Sequence, residues 1–248
     1  MGKIKNLKFT IAYEGTDFSG FQRQDQGERT VQGELEKALY KLTGEVPKLI
    51  VSGRTDAGTH AKGQVINFVT NSQIPTERWP AAFNTCLPRD IVVWKAEEVS
   101  LEFHARYWAK SKTYQYLVDC RPWLDIFLRR FSYHFPRKLQ VEAIQQAASF
   151  LLGTHDFKGF MAAGSSVINT IRTIYRVEIE EKENQLLFIF EGNGFLYKMV
   201  RNIIGTLLVI GEGRMQPTVI REILANGKRE EAGPTAPPQG LTLMRVTY

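Results

Sequence analysis

The segment from Phe195 to Ile210 constrains this chain more than any other stretch of its sequence. It is apolar on nearly every side of a predicted helix, and such a helix must be largely buried. Within it stands Arg201, whose charge is costly to bury unless a partner is present. The sequence therefore predicts a core that surrounds this helix.

One stripe of the same helix carries polar or small residues. Lys198, Arg201 and Gly205 are spaced to share a face, and this face is predicted to line a cleft. The alternative is an arginine at the rim of a domain, with its stem buried and its charge in water. Asp56 is the candidate carboxylate partner, although spacing alone shows no contact.

Asp56 stands in the stretch from Ser52 to Ala61, between Gly53 and Gly58. Arg54 and His60 are its charged or polar neighbours. Apolar runs precede and follow this stretch, which predicts a strand, a tight loop and a second strand. Such a loop presents a side chain openly while the strands hold its base. The alternative is a solvated aspartate in an ordinary turn.

Charge and composition narrow the class of protein. The chain has 248 residues, and its 32 Lys and Arg against 26 Asp and Glu give a net charge of +6. This excess favours a polyanionic partner such as nucleic acid. Two cysteines without metal-ligand spacing suggest reduced thiols in the cytoplasm. No apolar run reaches the ~18 residues of a membrane span, and no secretory signal is recognised.

Each half of the chain mixes several predicted strands with about two helices. Hairpin connections favour an α/β (α+β) protein with mixed or antiparallel sheets over a doubly wound parallel sheet. Strand patterning lapses between Phe103 and Lys112. We therefore predict an N-terminal half over 1–105, which carries the Asp56 loop, and a C-terminal half over 106–248.

This boundary segment is also a candidate for RNA contact. Phe103, His104 and Arg106 lead into Lys112 and Tyr114. Basic residues between aromatic ones suit phosphate contacts and base stacking. The alternative is that Tyr114 is a sheet aromatic with solvated lysines around it.

Ordered motifs along almost the whole chain resemble the bacterial tRNA pseudouridine synthase A family. The matching segments are Tyr13 to Gln24, Gly53 to Gly58, Phe103 to Arg106, Lys112 to Tyr116, His155 to Phe157, Gly194 to Gly205 and Pro238 to Leu241. Glu14 replaces the family's usual aspartate and Thr59 a common valine, and both changes are mild.

The resemblance implies a role for several residues. Asp56 matches the catalytic aspartate, Tyr114 the tyrosine that lies against the target base, and Arg201 the arginine that pairs with the catalytic carboxylate. Arg54 matches the residue that enters the RNA when the nucleotide flips out. The further residues expected to contact substrate or RNA are Gln22, His60, Arg106, Lys112 and Lys198.

The resemblance also implies a fold and a substrate. The fold has two RNA-recognition-motif or ferredoxin-like halves with joined, largely antiparallel sheets and a cleft between them. The family uses no metal and no cofactor, works as a homodimer, and modifies uridines 38, 39 and 40 in the tRNA anticodon stem-loop.

The chemistry fits a lone carboxylate. Pseudouridine formation breaks the N1–C1′ bond, rotates the uracil and rejoins it through C5, exchanging only a proton. Attack at C1′, attack at C6 and deprotonation at C2′ all remain open as first steps. The alternative function is a non-catalytic tRNA-binding protein or chaperone on the same scaffold. A hydrolase would need a second acid or a metal cluster, which the sequence does not reveal.

Overall fold

The computed structural model describes residues 3–24, 27–164 and 167–248. The chain forms two compact units. Unit 1 comprises residues up to Lys110 together with Thr242–Tyr248, and unit 2 comprises Ser111–Leu241. The predicted boundary at 105/106 therefore lies slightly early. The final residues, predicted for the C-terminal half, belong to unit 1 because they pair with one of its strands.

The helices and strands follow the order βαββαβ up to β4, and the order after it is ββαβββααβ. In chain order they are β1 (Lys5–Tyr13), α1 (Val31–Thr43), β2 (Ile50–Val51), β3 (His60–Thr70), α2 (Trp79–Cys86), β4 (Ile91–Val99), β5 (Ser111–Asp119), β6 (Tyr133–His134), α3 (Val141–Ser149), β7 (Gly153–Asp156), β8 (Ile171–Lys182), β9 (Gln185–Gly192), α4 (Met199–Gly211), α5 (Val219–Asn226) and β10 (Leu241–Thr247).

Unit 1 has a ferredoxin-like sheet. Its strands run β4-β1-β3, with β1 antiparallel to both neighbours and the short β2 antiparallel to β3. Together with α1 and α2, this is the split β-α-β pattern with strand order 4-1-3-2. At the other end of β3, Thr242 of β10 pairs with His60 in parallel register. The predicted antiparallel α/β architecture of this unit is confirmed.

Local sequence signals explain the elements of unit 1. The Gly33 amide donates to the Thr30 hydroxyl at the start of α1, and Gly44 ends the helix in the left-handed region with φ 75°. In β1, Phe9 is fully buried and stacks on Phe68 of β3, with ring centroids 5.0 Å apart. Trp79 of α2 meets both rings edge-on, so aromatic packing joins this helix to the sheet.

Unit 2 repeats the sheet-and-helix plan. Its strands run β5-β9-β8-β7, all antiparallel, and β6 pairs with β5 in parallel. The predicted hairpin turns at residues 183–184, where Glu183 takes φ 54°. Every residue of α4 is buried, which confirms the burial predicted for the apolar segment. The helix begins at Met199 rather than Phe195, because Lys198 adopts a left-handed conformation with φ 56°.

Two observations concern membrane-spanning helices and the state of the cysteines. Within the described ranges, no helix is long and apolar enough to cross a membrane. Cys86 and Cys120 are both free thiols.

Candidate active site

Asp56 lies in unit 1 on the loop that joins β2 to β3. The amide of Thr59 donates to the Asp56 carbonyl over 3.1 Å, and Gly58 supplies the left-handed residue of the turn with φ 76°. Asp56 is half-buried, whereas Arg54 is exposed. The predicted strand-loop-strand arrangement is confirmed, and it leaves both side chains accessible at the surface of the unit.

A buried polar network holds this loop from behind. Gln64 of β3 donates from Nε2 to the Gly53 carbonyl at 2.8 Å and to the Tyr13 hydroxyl at 3.3 Å, and its Oε1 accepts from Ser52 Oγ at 2.7 Å. Tyr13 OH also shares a 2.7 Å hydrogen bond with Thr55 Oγ1. Burial raises the pKa of Tyr13 to about 12, so its phenol stays protonated at neutral pH.

A second loop lies against the first. The Phe21 amide donates to the Thr55 carbonyl over 3.1 Å, and the Gly58 amide donates to the Phe18 carbonyl over 3.3 Å. A Cβ on Gly15 would stand 2.1 Å from the Thr59 carbonyl oxygen, so only glycine permits this approach. The motif from Tyr13 to Gln24 therefore acts partly as a support for the Asp56 loop.

His60 has a different role from the predicted RNA contact. Its side chain is buried at the start of β3, and its Nδ1 accepts a 2.9 Å hydrogen bond from the Gly15 amide. A ring only 2% exposed has almost no surface to offer a substrate. In the structure, His60 instead holds the supporting loop in place through this hydrogen bond. Local spacing did not reveal this role.

Tyr114 lies in unit 2 on β5, opposite Phe190 of β9. Its ring is 8% exposed and meets Phe195 edge-to-face, with centroids 5.1 Å apart. Two residues along the same face, Tyr116 donates from its hydroxyl to the Pro237 carbonyl over 2.7 Å. Burial raises the pKa of Tyr116, and the positive charge of Arg201 partly offsets this rise. The charge of Arg201 therefore acts on Tyr116 of β5.

Arg201 is 9% exposed and bonds to an extended segment, residues 233–236, which we call the strap. Its Nε donates to the Ala236 carbonyl over 2.8 Å, and the Ala236 amide donates back to the Arg201 carbonyl over 3.0 Å. A Cβ on Gly205 would stand 1.6 Å from the Pro234 oxygen, so the strap crosses α4 at this glycine.

This geometry corrects the predicted stripe of three residues. Gly205 is covered by the strap rather than open to a cleft. Lys198 precedes the helix in a left-handed conformation, so it does not continue the helical face of Arg201. Its ammonium lies 5.0 Å from the centroid of the Tyr197 ring and stays partly exposed.

Sequence reasoning missed the side chains that anchor the strap. Asn202 Oδ1 accepts hydrogen bonds from Arg229 Nη2 at 3.0 Å and Thr235 Oγ1 at 2.6 Å, and its Nδ2 donates to the Phe160 carbonyl at 2.8 Å. Thr206 Oγ1 accepts from the Gly233 amide at 2.9 Å. Asn202 and Thr206 are, with Arg201, the polar residues of a helix whose other residues are apolar, and that contrast was the available signal.

The other predicted RNA contacts lie at or near the surface. Gln22 and Arg106 are exposed, and the Arg106 guanidinium lies 5.8 Å from the centroid of the Tyr107 ring. Lys112 is half-buried on β5. In the part of the chain that the structure describes, no group of three His, Cys, Asp or Glu side chains could hold a metal ion.

A family model and full-length relatives match this chain. A family model described as tRNA pseudouridine synthase matches residues 10–108 and 147–248, which together exceed half of the chain. The chain belongs to the tRNA pseudouridine synthase family. A relative in Brevibacillus brevis, named tRNA pseudouridine synthase A, is 47% identical over 245 residues, covering 99% of this chain and all of that protein. A relative of the same name in Bacillus pumilus is 48% identical over 98% of each chain.

Membership of the pseudouridine synthase family makes the protein an isomerase that converts uridine to pseudouridine in tRNA. The matched ranges include Asp56 and its network, as well as Arg201 and the strap. Tyr114 lies between the two matched ranges, within the full-length similarity to the Brevibacillus protein.

Proposed function

We propose that this synthase isomerises uridines 38, 39 and 40 in the anticodon stem-loop of tRNA, with Asp56 as the catalytic carboxylate. The observation that supports this role most directly is the loop itself. A buried network fixes residues 52, 53 and 55, while the neighbouring Arg54 and Asp56 side chains remain accessible. The net charge of +6 suits a polyanionic substrate.

Asp56 assists cleavage of the N1–C1′ bond. An ionised carboxylate can add to C1′ or to C6, or remove the proton at C2′, and each route frees the uracil to rotate. The base then rejoins the sugar through C5, the C5 proton leaves, and N1 takes up a proton. Atoms balance without any redox step, because the product is an isomer of the substrate.

Tyr114 and Arg201 complete the proposed machinery. Following the family resemblance, Tyr114 offers the flat face against which the uracil lies, and its hydroxyl can exchange protons at C5. By the same resemblance, we propose that Arg201 is the arginine that pairs with the catalytic carboxylate and holds it in one orientation. The Nε bond to Ala236 supports this role, since it fixes the guanidinium plane from the strap side.

Exposed polar residues hold the RNA in this proposal. A base within a stem must leave its stack before it reacts, which costs a few kcal/mol. Arg54, accessible beside Asp56, fills the space that the flipped nucleotide leaves. Gln22, Arg106, Lys112 and Lys198 contact the backbone, whose A-form shape is recognised without reading much sequence.

The decisive experiment replaces Asp56 with asparagine. We expect D56N to release no tritium from tRNA labelled at uridine C5, while it binds tRNA as the wild type does. E77Q is the matched control, because Glu77 is an exposed carboxylate in the same unit. Normal tritium release by D56N would refute the catalytic role. Mapping the product in tRNAs that carry a single uridine at 38, 39 or 40 tests the positions.

A non-catalytic tRNA-binding protein on this scaffold is the competing hypothesis, and family membership does not favour it. It requires the wild type to bind tRNA without forming any pseudouridine. Substitutions of Arg201 distinguish the two hypotheses further. We expect R201A to lose turnover and R201K to retain part of it, whereas a binding protein would show no turnover to lose.

We also propose that the enzyme is a homodimer. An exposed apolar segment of unit 2 supports this: Trp123 is 85%, Ile126 60% and Phe127 84% exposed. Arg121, just before this segment, lies 2.8 Å from both Asp119 and Asp125, so its charge is compensated within the chain. In light scattering, a monomeric wild type would refute the dimer. A W123S/F127S variant that stays dimeric would refute this surface.

A cytoplasmic location completes the proposal. Its support is the pair of free cysteines, since disulfides are rare in reducing compartments. Fractionation of cells that express the protein tests this directly.

A further inference from the structure

Unit 1 contains a cavity of about 620 Å³ that the proposed reaction does not use. Its lining includes Lys8, Phe103, Trp108, Lys110 and Tyr248, and no residue of the Asp56 loop takes part. The volume lies within the range of cavities that hold small organic ligands. The side chains around it therefore decide what it can bind.

One wall of the cavity is a fixed aromatic cluster. The Phe103 ring meets Trp108 edge-to-face at 5.6 Å and Tyr248 at 5.0 Å between centroids. The Tyr248 hydroxyl donates to the Ala105 carbonyl over 2.8 Å, which holds that ring in place. Trp108 remains 48% exposed, although the other two rings are shielded. The cluster thus offers one large aromatic surface on a rigid base.

Positive charge lies directly beside the aromatic cluster. The Lys8 ammonium lies 5.8 Å and 5.6 Å from the Phe103 and Tyr248 centroids and 3.1 Å from a Glu97 oxygen. Lys95 also pairs with Glu97, at 2.9 Å, so two ammonium groups share one carboxylate. These two lysines lower the pKa of Glu97, so its carboxylate stays ionised. One negative charge then faces two positive charges, and one positive charge is left over.

Lys110 adds a second source of positive charge at the rim. Its side chain is exposed, and its backbone amide donates to the Thr247 carbonyl over 2.8 Å. The lysine stem therefore starts from a fixed point beside the aromatic cluster. A ligand here meets an aromatic face and ammonium groups together.

We propose that this cavity binds one unstacked nucleotide of the tRNA, away from the uridine that reacts. The base stacks on Trp108, and its phosphate lies between Lys110 and the excess cation at Lys8. Aromatic stacking combined with lysine contacts is the usual way to hold an unpaired nucleotide. A purely apolar ligand would leave the ammonium groups unused. The proposal rests on the proposed function only in taking tRNA as the ligand.

The first test measures tRNA binding by W108A, with W94A as the matched control. Trp94 is 57% exposed on β4 of the same unit. We expect W108A to bind tRNA roughly tenfold more weakly, W94A to bind normally, and W108F to recover most of the affinity because it keeps an aromatic face. Melting temperatures of W108F and W108A close to that of the wild type show that the fold is preserved. If W108A unfolds, the proposal is tested by tRNA binding to K110A, with W108F as the variant that is expected to keep most of the affinity.

The second test uses charge. K110A is expected to reduce the slope of log K against log salt by about 1, whereas K41A, an exposed lysine on α1, serves as the control for a general loss of charge. Wild-type affinity and salt slope in both W108A and K110A would overturn the proposal. The proposal is also overturned if the slope of log K against log salt is the same for K110A as for K41A.

These results remain separable from the proposed reaction. Tritium release by the wild type tests the reaction, and binding by the variants tests the cavity. Normal release with unchanged binding in W108A and K110A refutes the cavity alone. Binding without release by the wild type refutes the reaction alone.

Discussion

In unit 1, Asp56 lies on a loop that hydrogen bonds from buried polar side chains hold in place. In unit 2, Arg201 lies on α4, a buried helix whose residues are mostly apolar. Four side-chain hydrogen bonds, centred on Gln64 and Tyr13, lie behind the Asp56 loop. Every residue of α4 is buried, and the strap closes over it with its backbone.

The two forms of support respond differently to substitution. A hydrogen-bonded loop depends on direction, so losing one partner lets the loop move while the sheet beneath remains intact. A packed helix depends on volume, so one added methyl group disturbs the helix and the strap together. Substitutions in the first should therefore affect turnover most, and substitutions in the second should affect stability most.

The largest loss of stability is expected from G205A. The added Cβ would stand 1.6 Å from the Pro234 oxygen, so the strap must move away and the Arg201–Ala236 bonds must break. We expect the free energy of unfolding in urea to fall by about 3 kcal/mol. G33A is the control, because its Cβ meets only the Thr30 hydroxyl, at 3.1 Å. An unchanged unfolding midpoint for G205A would show that the strap is loosely held.

The next effect is expected from Q64L. It removes the groups that bond to Ser52 and Gly53 and leaves buried polar atoms unsatisfied, at a cost of about 1–3 kcal/mol. Because the loop shifts, we expect tritium release at saturating tRNA to fall on the order of 100-fold. Q73L changes an exposed glutamine of the same unit and should leave release intact. If Q64L destabilises the protein but turns over normally, the network supports the fold and not the site.

The buried phenol of Tyr13 makes the stability of unit 1 depend on pH. Burial raises its pKa from the 10.0 of an ordinary tyrosine to about 12, so the unfolded chain loses the proton first. Stability is then fully present below pH 10 and falls as pH rises from 10 towards 12. Y13F removes this titration. We expect its melting temperature to decline less than that of the wild type between pH 9 and 11, and parallel curves would contradict the burial of the phenol.

T235V is expected to have the smallest effect. It removes the hydroxyl that donates to Asn202 Oδ1, while Arg229 continues to bond to the same oxygen. The loss of stability should be about 1 kcal/mol in urea unfolding, and T235S should restore it because the hydroxyl returns. A loss as large as that of G205A would mean that hydrogen bonds, not packing, hold the strap.

Much of the local structure was predictable. Thr30 and Gly44 bracket α1, and the apolar run in α4 requires burial wherever it lies. The Asp56 loop was predictable because strand patterning stops and resumes around two glycines. These features depend on residues close together in the chain.

Other features were not predictable from local patterns. Histidine is a common residue in binding sites, yet Nδ1 of His60 accepts a hydrogen bond from the Gly15 amide inside unit 1. Lys198 fits a helical stripe, yet its own left-handed conformation places it ahead of the helix. Gln64 gave no signal, because a buried glutamine on a strand is recognisable only once its hydrogen-bond partners are known.

Local patterns in the sequence indicate the longer helices and strands, the caps of α1, the burial of α4, the Asp56 loop and, through ordered motifs, the family, but they do not indicate the short strands β6 and β7. Long-range contacts specify that residues 242–248 join unit 1, that the strap covers Gly205, and that a polar network supports the Asp56 loop. Periodicity and capping act over a few residues. Strand pairing, close backbone approach and buried hydrogen bonds join positions far apart in the chain, and no local pattern specifies them.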